Sequence, residues 1–104
     1  MKAIIDGKRY NTETATEIAQ WSNNYYCNDF HYCEETLYRT KRGAWFIAGD
    51  GGALSSYSQS YGSNGSIGGS SITPLKEWEA QAWLEEKGHV DKLETYFEEA
   101  IEDA

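Results

Sequence analysis

Long apolar runs are missing from this 104-residue chain, and Leu, Ile and Val are scarce. No stretch approaches the ~20 apolar residues that a membrane-crossing helix needs, and no apolar leader region opens the chain. Cysteine is limited to Cys27 and Cys33, too few for a disulfide framework. These shortages point to a soluble cytoplasmic protein with free thiols. Catalytic signatures are missing as well, so no motif names a reaction. Aromatics take the place of the aliphatics: four Trp, eight Tyr and three Phe. Each buries roughly 150–250 Å², so the expected core is built on them. The length fits one domain, residues 1–104, with a single modest core.

Charge is unevenly placed. Residues 1–76 hold seven acids and seven bases, whereas residues 77–104 hold ten acids against two bases. The whole net charge of −8 therefore lies in the last quarter. Direct binding to nucleic acid or to an anionic membrane is disfavoured, because phosphate contacts need Lys and Arg. A basic partner is favoured.

The most apolar stretch, Ala44–Ala48, reads as the central strand of a small sheet and ends in a glycine turn around Asp50. Upstream, Asp6-Gly7 between strand-like residues 3–10 signals a type I′ hairpin. Thr12–Trp21 reads as a helix, with Thr14 and Glu17 at capping-box spacing and Ala15, Ile18 and Ala19 on one face. Residues 30–39 alternate as a strand, with Thr40–Gly43 as the hairpin turn into Ala44–Ala48. Seven of the ten glycines and eight serines fall within Gly49–Ser71, which predicts a mobile surface loop pinned by Leu54, Tyr57, Tyr61 and Ile67. A further strand is expected at 70–73. Thr73-Pro74 then opens a helical region over 75–103. Its first helix would bury Leu75, Trp78, Ala82 and Trp83 and stop at Gly88. A last helix would bury Val90, Leu93, Phe97 and Ile101. The expected fold is α+β: one antiparallel sheet of four or five strands, with one helix from the N-terminal half and two C-terminal helices packed on it.

On that last helix Asp91, Glu94, Glu98 and Glu102 would stack once per turn, ~5.4 Å apart along the axis. Most such stripes are solvated faces. Here the concentration of net charge favours a surface that meets a basic groove, although a duplex is denser, at one charge per ~1.7 Å. The run Gly49-Asp50-Gly51-Gly52 lacks the spacing of a phosphate loop, so it reads as a strand end, with Asp50 capping the loop through backbone amides. Cys27, His31 and Cys33 with Asp29 fit no common zinc spacing. His31 with Glu34 and Glu35, or Ser55 with His89, has no hydrolase context. No metal, cofactor or catalytic residue is expected. Tyr25, Tyr26, Tyr57 and Tyr61 are interface-type residues in loops.

Together, many single positions resemble a family of small acidic phage and mobile-element proteins, some at anti-CRISPR or other counter-defence loci. They begin with Tyr10–Ala15, Ser22–Tyr25, Asp29-Phe30, Glu35 and Leu37-Tyr38. They continue through Gly43, Phe46, Gly49–Gly52, Ser55, Tyr57, Gly62, Asn64, Gly69-Ser70, Ile72, Pro74-Leu75, Glu79-Ala80 and Trp83-Leu84. Lys76 departs where a Ser or Thr helix cap is expected, and Asp50 where Glu is usual. The resemblance implies a non-enzymatic binding protein of the host bacterial cytoplasm, monomeric or homodimeric. Its partner would be a host defence protein, a CRISPR effector or nuclease subunit with a basic surface. The expected contacts are Asp91, Glu94, Glu98 and Glu102, with Tyr57, Tyr61 and Asp50 on the loop side. The alternative is a regulatory or structural interaction module of the mobile element itself.

Overall fold

The computed structural model describes residues 1–61 and 65–104. It is α+β, with a four-stranded antiparallel sheet at its centre. Chain order is β1 (Lys2–Ile5), β2 (Lys8–Asn11), β3 (Thr16–Ser22), β4 (Cys33–Arg39), β5 (Trp45–Gly51), β6 (Gln59–Tyr61), β7 (Gly65–Ile67), β8 (Gly69–Leu75), α1 (Glu77–Glu86), α2 (Val90–Tyr96) and a 3-10 turn, Glu98–Ala100. The central sheet runs β3-β4-β5-β8, while β1-β2 and β6-β7 form separate two-stranded ribbons.

β5 is an inner strand, as its composition predicts. Trp45, Phe46 and Ile47 are all buried because both sheet faces are covered there. On one face Leu37, Ile47, Trp45, Ile18 and Ala19 pack against Ala80, Trp83 and Leu84 of α1 and Leu93 and Phe97 beyond it. On the other, fully buried Phe46 lies between Tyr10 of the β1-β2 ribbon, edge-on at 5.5 Å, and Tyr38, stacked at 5.2 Å. The type I′ turn is present, with Asp6 at φ 52° and Gly7 at φ 75°. Gly43 at φ 89° closes the β4-β5 turn, and Gly88 at φ 76° follows α1.

The expected helix over 12–21 is a strand. Only one helical turn forms: Asn11 accepts from the amides of Thr14 and Ala15 and caps Glu13 through Oδ1. The chain then enters β3 with a bulge between Glu17 and Ala19. The bulge turns Ile18 and Ala19 toward the same core, which breaks the period of two and imitates a helical face.

The Gly/Ser segment is largely strand and not a free loop. β5 continues to Gly51, β6 and β7 follow, and β8 pairs with β5 along its whole length, from Gly51↔Gly69 to Trp45↔Leu75. Pro74 lies in β8, an edge strand where a missing N–H is tolerated. α1 therefore starts after Lys76, whose amide donates to Glu79 Oε1 at 2.9 Å. This shift rotates the helix: Ala80, Trp83 and Leu84 are buried, and Trp78 is 65 % exposed. Leu93 and Phe97 are buried as expected, but Val90 and Ile101 are exposed. No helix among the described residues is long and apolar enough to cross a membrane.

Candidate functional site

The acidic C-terminal segment is not one helix. α2 ends at Tyr96, Phe97 leaves helical geometry at φ −131°, and Ile101 is extended. A continued helix would place Glu98, Glu99, Glu102 and Asp103 at its negative dipole end with no base in the last turn, and would space like charges four apart. The predicted single stripe is thus divided. Asp91 and Glu94 stay on α2, Glu98 lies in the 3-10 turn, and Glu102 lies beyond it, outside any helix.

The break folds Glu98 and Glu99 back toward α1. Together with Glu77, Trp78, Gln81 and Tyr96 they line an open cleft of about 590 Å³. Trp78 is two positions from Ala80, about 200° round the helix, so it points away from the core. The cleft floor is rigid. Trp45 meets Tyr96 edge-on at 5.6 Å and stacks on Phe97 at 5.3 Å, while the Arg39 guanidinium lies 5.0 Å from the Trp45 ring centre. An exposed Trp among carboxylates on an aromatic base offers a cation both a π face and negative charge.

Tyr57 is turned inward. Its hydroxyl donates to Glu35 Oε2, and its ring covers Gly49, where a Cβ would lie 2.0 Å from Tyr57 Cζ. The indole Nε1 of Trp83 donates to Glu35 Oε1 at 2.9 Å. One carboxylate of β4 thereby joins the segment after β5 to α1. Burial first, then the bond to Glu35, raises the Tyr57 pKa strongly. His89 stacks on Trp83 at 5.7 Å, and the Lys87 ammonium sits 3.6 Å from the Trp21 ring centre. The backbone of Tyr61 belongs to β6, but its side chain lies outside the described residues.

Asp50 is a strand residue and not a loop cap. It faces the sheet side opposite the helices, paired across strands with Glu34 and Ser70. Burial, then the Glu34 charge, raises its pKa above 3.8. Tyr32 donates to Glu34, and that bond is the main cause lifting its pKa to about 12. Because the fold raises the Asp50 pKa, its contribution is fully present below the ordinary carboxylate range and is lost as pH rises through the folded pKa. Asp50→Asn is therefore expected to melt higher than the native chain at neutral pH, with the gain vanishing near about pH 3. Thermal melts across that range check the sign.

A second cleft of about 660 Å³ lies between the β1-β2 ribbon and the β4-β5 turn, lined by Ile4, Lys8, Arg9, Tyr10, Thr40 and Arg42. Residues 1–76 are neutral in sum but not locally neutral. Among the described residues ion pairs join only His31 to Asp29 and Lys87 to Glu86, so these three cations have no carboxylate at ion-pair distance.

Comparison with known protein families, curated proteins and solved structures returns no match to this chain. Chemistry and geometry thus carry the functional reading. Among the described residues no three His, Cys, Asp or Glu side chains gather as a metal site would require. Cys27 is exposed, Cys33 is buried, and His31 Nδ1 turns to Asp29 at 3.4 Å. Starting the helix at Pro74 puts Trp78 on the buried face and passes over Glu77, and reading the last helix as unbroken passes over Glu99. Choosing Ala80, Trp83 and Leu84 as the apolar face would have placed Trp78 outside. Lys8, Arg9 and Arg42 escaped because only folding brings the two turns together.

Proposed function

We propose that this chain is an anti-CRISPR-type inhibitor of a phage or mobile element, acting in the host bacterial cytoplasm. It is a non-enzymatic protein that binds a CRISPR effector or nuclease subunit and covers a basic surface meant for nucleic acid. One observation carries this reading: Trp78, 65 % exposed, stands in a cleft with Glu77, Glu98 and Glu99, in the quarter of the chain that holds all of the net charge. Trp is enriched among residues that dominate binding energy, and surrounding carboxylates select a cationic partner. Glu94, Glu98 and Asp91 supply further negative field on the same segment.

The test is inhibition of a panel of CRISPR effectors and nucleases. Trp78→Ala is expected to weaken inhibition about 30-fold, the effect of losing about 2 kcal/mol at a binding hot spot. The exposed position leaves the fold intact, which circular dichroism verifies. The double reversal Glu94→Lys with Glu98→Lys should also weaken inhibition, more at low salt than at high salt. Full inhibition by both variants would remove this surface from the mechanism. The alternative, an interaction module of the mobile element, is favoured by the separate cationic cleft on the other face of the sheet.

A further inference from the structure

We infer that the cleft between the β1-β2 ribbon and the β4-β5 turn holds the acidic segment Ile101–Asp103 of a second copy of this chain. The inference needs no defence protein as target and goes beyond the inhibitor reading. In a chain of 17 acids and 9 bases, Lys8, Arg9 and Arg42 line one cleft without a carboxylate partner. Ile4 adds an aliphatic contact at the same place and is 67 % exposed. An anionic ligand with one aliphatic residue fits that lining.

Polynucleotide fits less well. Tyr10, the one aromatic side chain in the lining, is 7 % exposed and packed on Phe46, so it offers no open face for a base.

The complementary segment is in the chain itself. After the 3-10 turn, Ile101 adopts extended geometry at φ −101°, ψ 133° and is 40 % exposed. Glu102 and Asp103 follow it, both exposed. In an extended strand Ile101 and Asp103 point to one side and Glu102 to the other, so an apolar contact on Ile4 and carboxylate contacts on both cleft walls are compatible. The segment and the cleft lie on opposite faces of the central sheet, one beyond the helices and the other against the β1-β2 ribbon. The contact therefore joins two copies, using unlike surfaces on each.

The probe is an acetylated peptide of residues 97–104, titrated into the isotope-labelled full chain. Amide shifts concentrated at Lys8, Arg9, Thr40 and Arg42 are expected. They should weaken about tenfold or more for Arg9→Glu with Arg42→Glu, whose remaining spectrum reports an intact fold. A peptide with serine at the Ile101 position should bind less tightly. In the full chain, light scattering should show mass rising with concentration. That rise should be lost in Arg9→Glu/Arg42→Glu and in Glu102→Lys/Asp103→Lys, and regained when the two variants are mixed. The mixture restores opposite charges across the contact, which general destabilisation cannot do. The inference is overturned if the peptide leaves the cleft amides unmoved. It is equally overturned if a short single-stranded oligonucleotide saturates them where the peptide does not, or if the mixture stays monomeric.

Discussion

Replacing Gly49 by alanine is expected to drive Tyr57 off the sheet and to cost about 3 kcal/mol, the sum of a buried hydrogen bond to a carboxylate and part of an aromatic ring's burial. The new Cβ would stand 2.0 Å from Tyr57 Cζ and 2.2 Å from its hydroxyl oxygen. Gly49 lies within β5, paired with Glu35 on one side and Ser71 on the other, so the strand cannot retreat without breaking two ladders. The ring must leave, and Glu35 then keeps only the Trp83 indole as donor. Denaturant melts give the size of the effect. The mechanism is read from the background: with Tyr57→Ala already present, Gly49→Ala should be neutral or slightly stabilising, because alanine suits a strand interior better than glycine. An undiminished cost in that background would mean that the ring is not what forbids the side chain.

Phe46→Ala is expected to cost about 3–5 kcal/mol, a large share of the roughly 5–15 kcal/mol that holds a domain folded. Phe46 is fully buried, yet it does not belong to the helix-side core. It is the side chain on which the β1-β2 ribbon rests, through the edge contact with Tyr10, while Tyr38 stacks beside it. Its removal should release the ribbon before the sheet melts. Trypsin should then cut after Lys8 and Arg9 under conditions where the native chain resists. Equal resistance of the two chains would show that the ribbon is held by other contacts.

Local chemistry was legible in the sequence where it acts alone. Asp6-Gly7, Gly43 and Gly88 each adopt the positive φ expected of them, and of Ala44–Ala48 the residues from Trp45 on lie in an inner strand, with Trp45, Phe46 and Ile47 buried. The misreadings share one cause, which is that tertiary pairing outranks local pattern. A bulge at Ile18 gave β3 the spacing of a helix. The strand expected at 70–73 is present, but it runs from Gly69 to Leu75, and β5 continues to Gly51 because the two strands supply each other's hydrogen bonds, with no apolar side chain at those glycines to signal it. Pro74 sits at a sheet edge and not in a first helical turn. Of the candidate site, the sequence disclosed the acidic balance but not its arrangement. The break after Tyr96 places Glu98 and Glu99 beside Trp78, and that follows from charge at a helix end that only a completed packing makes decisive.

The pairing of Gly51 with Gly69 means that the intervening segment leaves the central sheet and rejoins it at a single point, where paired Cα atoms stand only about 5 Å apart. The register of the four-stranded frame is therefore set outside the insert, while Tyr57 within it bonds to Glu35 of β4. Each doubling of such a loop costs only about 0.6 kcal/mol in closure entropy. Tyr57 tethers the present insert to β4 through Glu35, while Ser55 and Ser66 bond within it to the Gly52 and Ala53 carbonyls. A longer insert that keeps Tyr57 should leave β3, β4, β5 and β8 in register, and a protein engineer can use the same junction to display a foreign peptide.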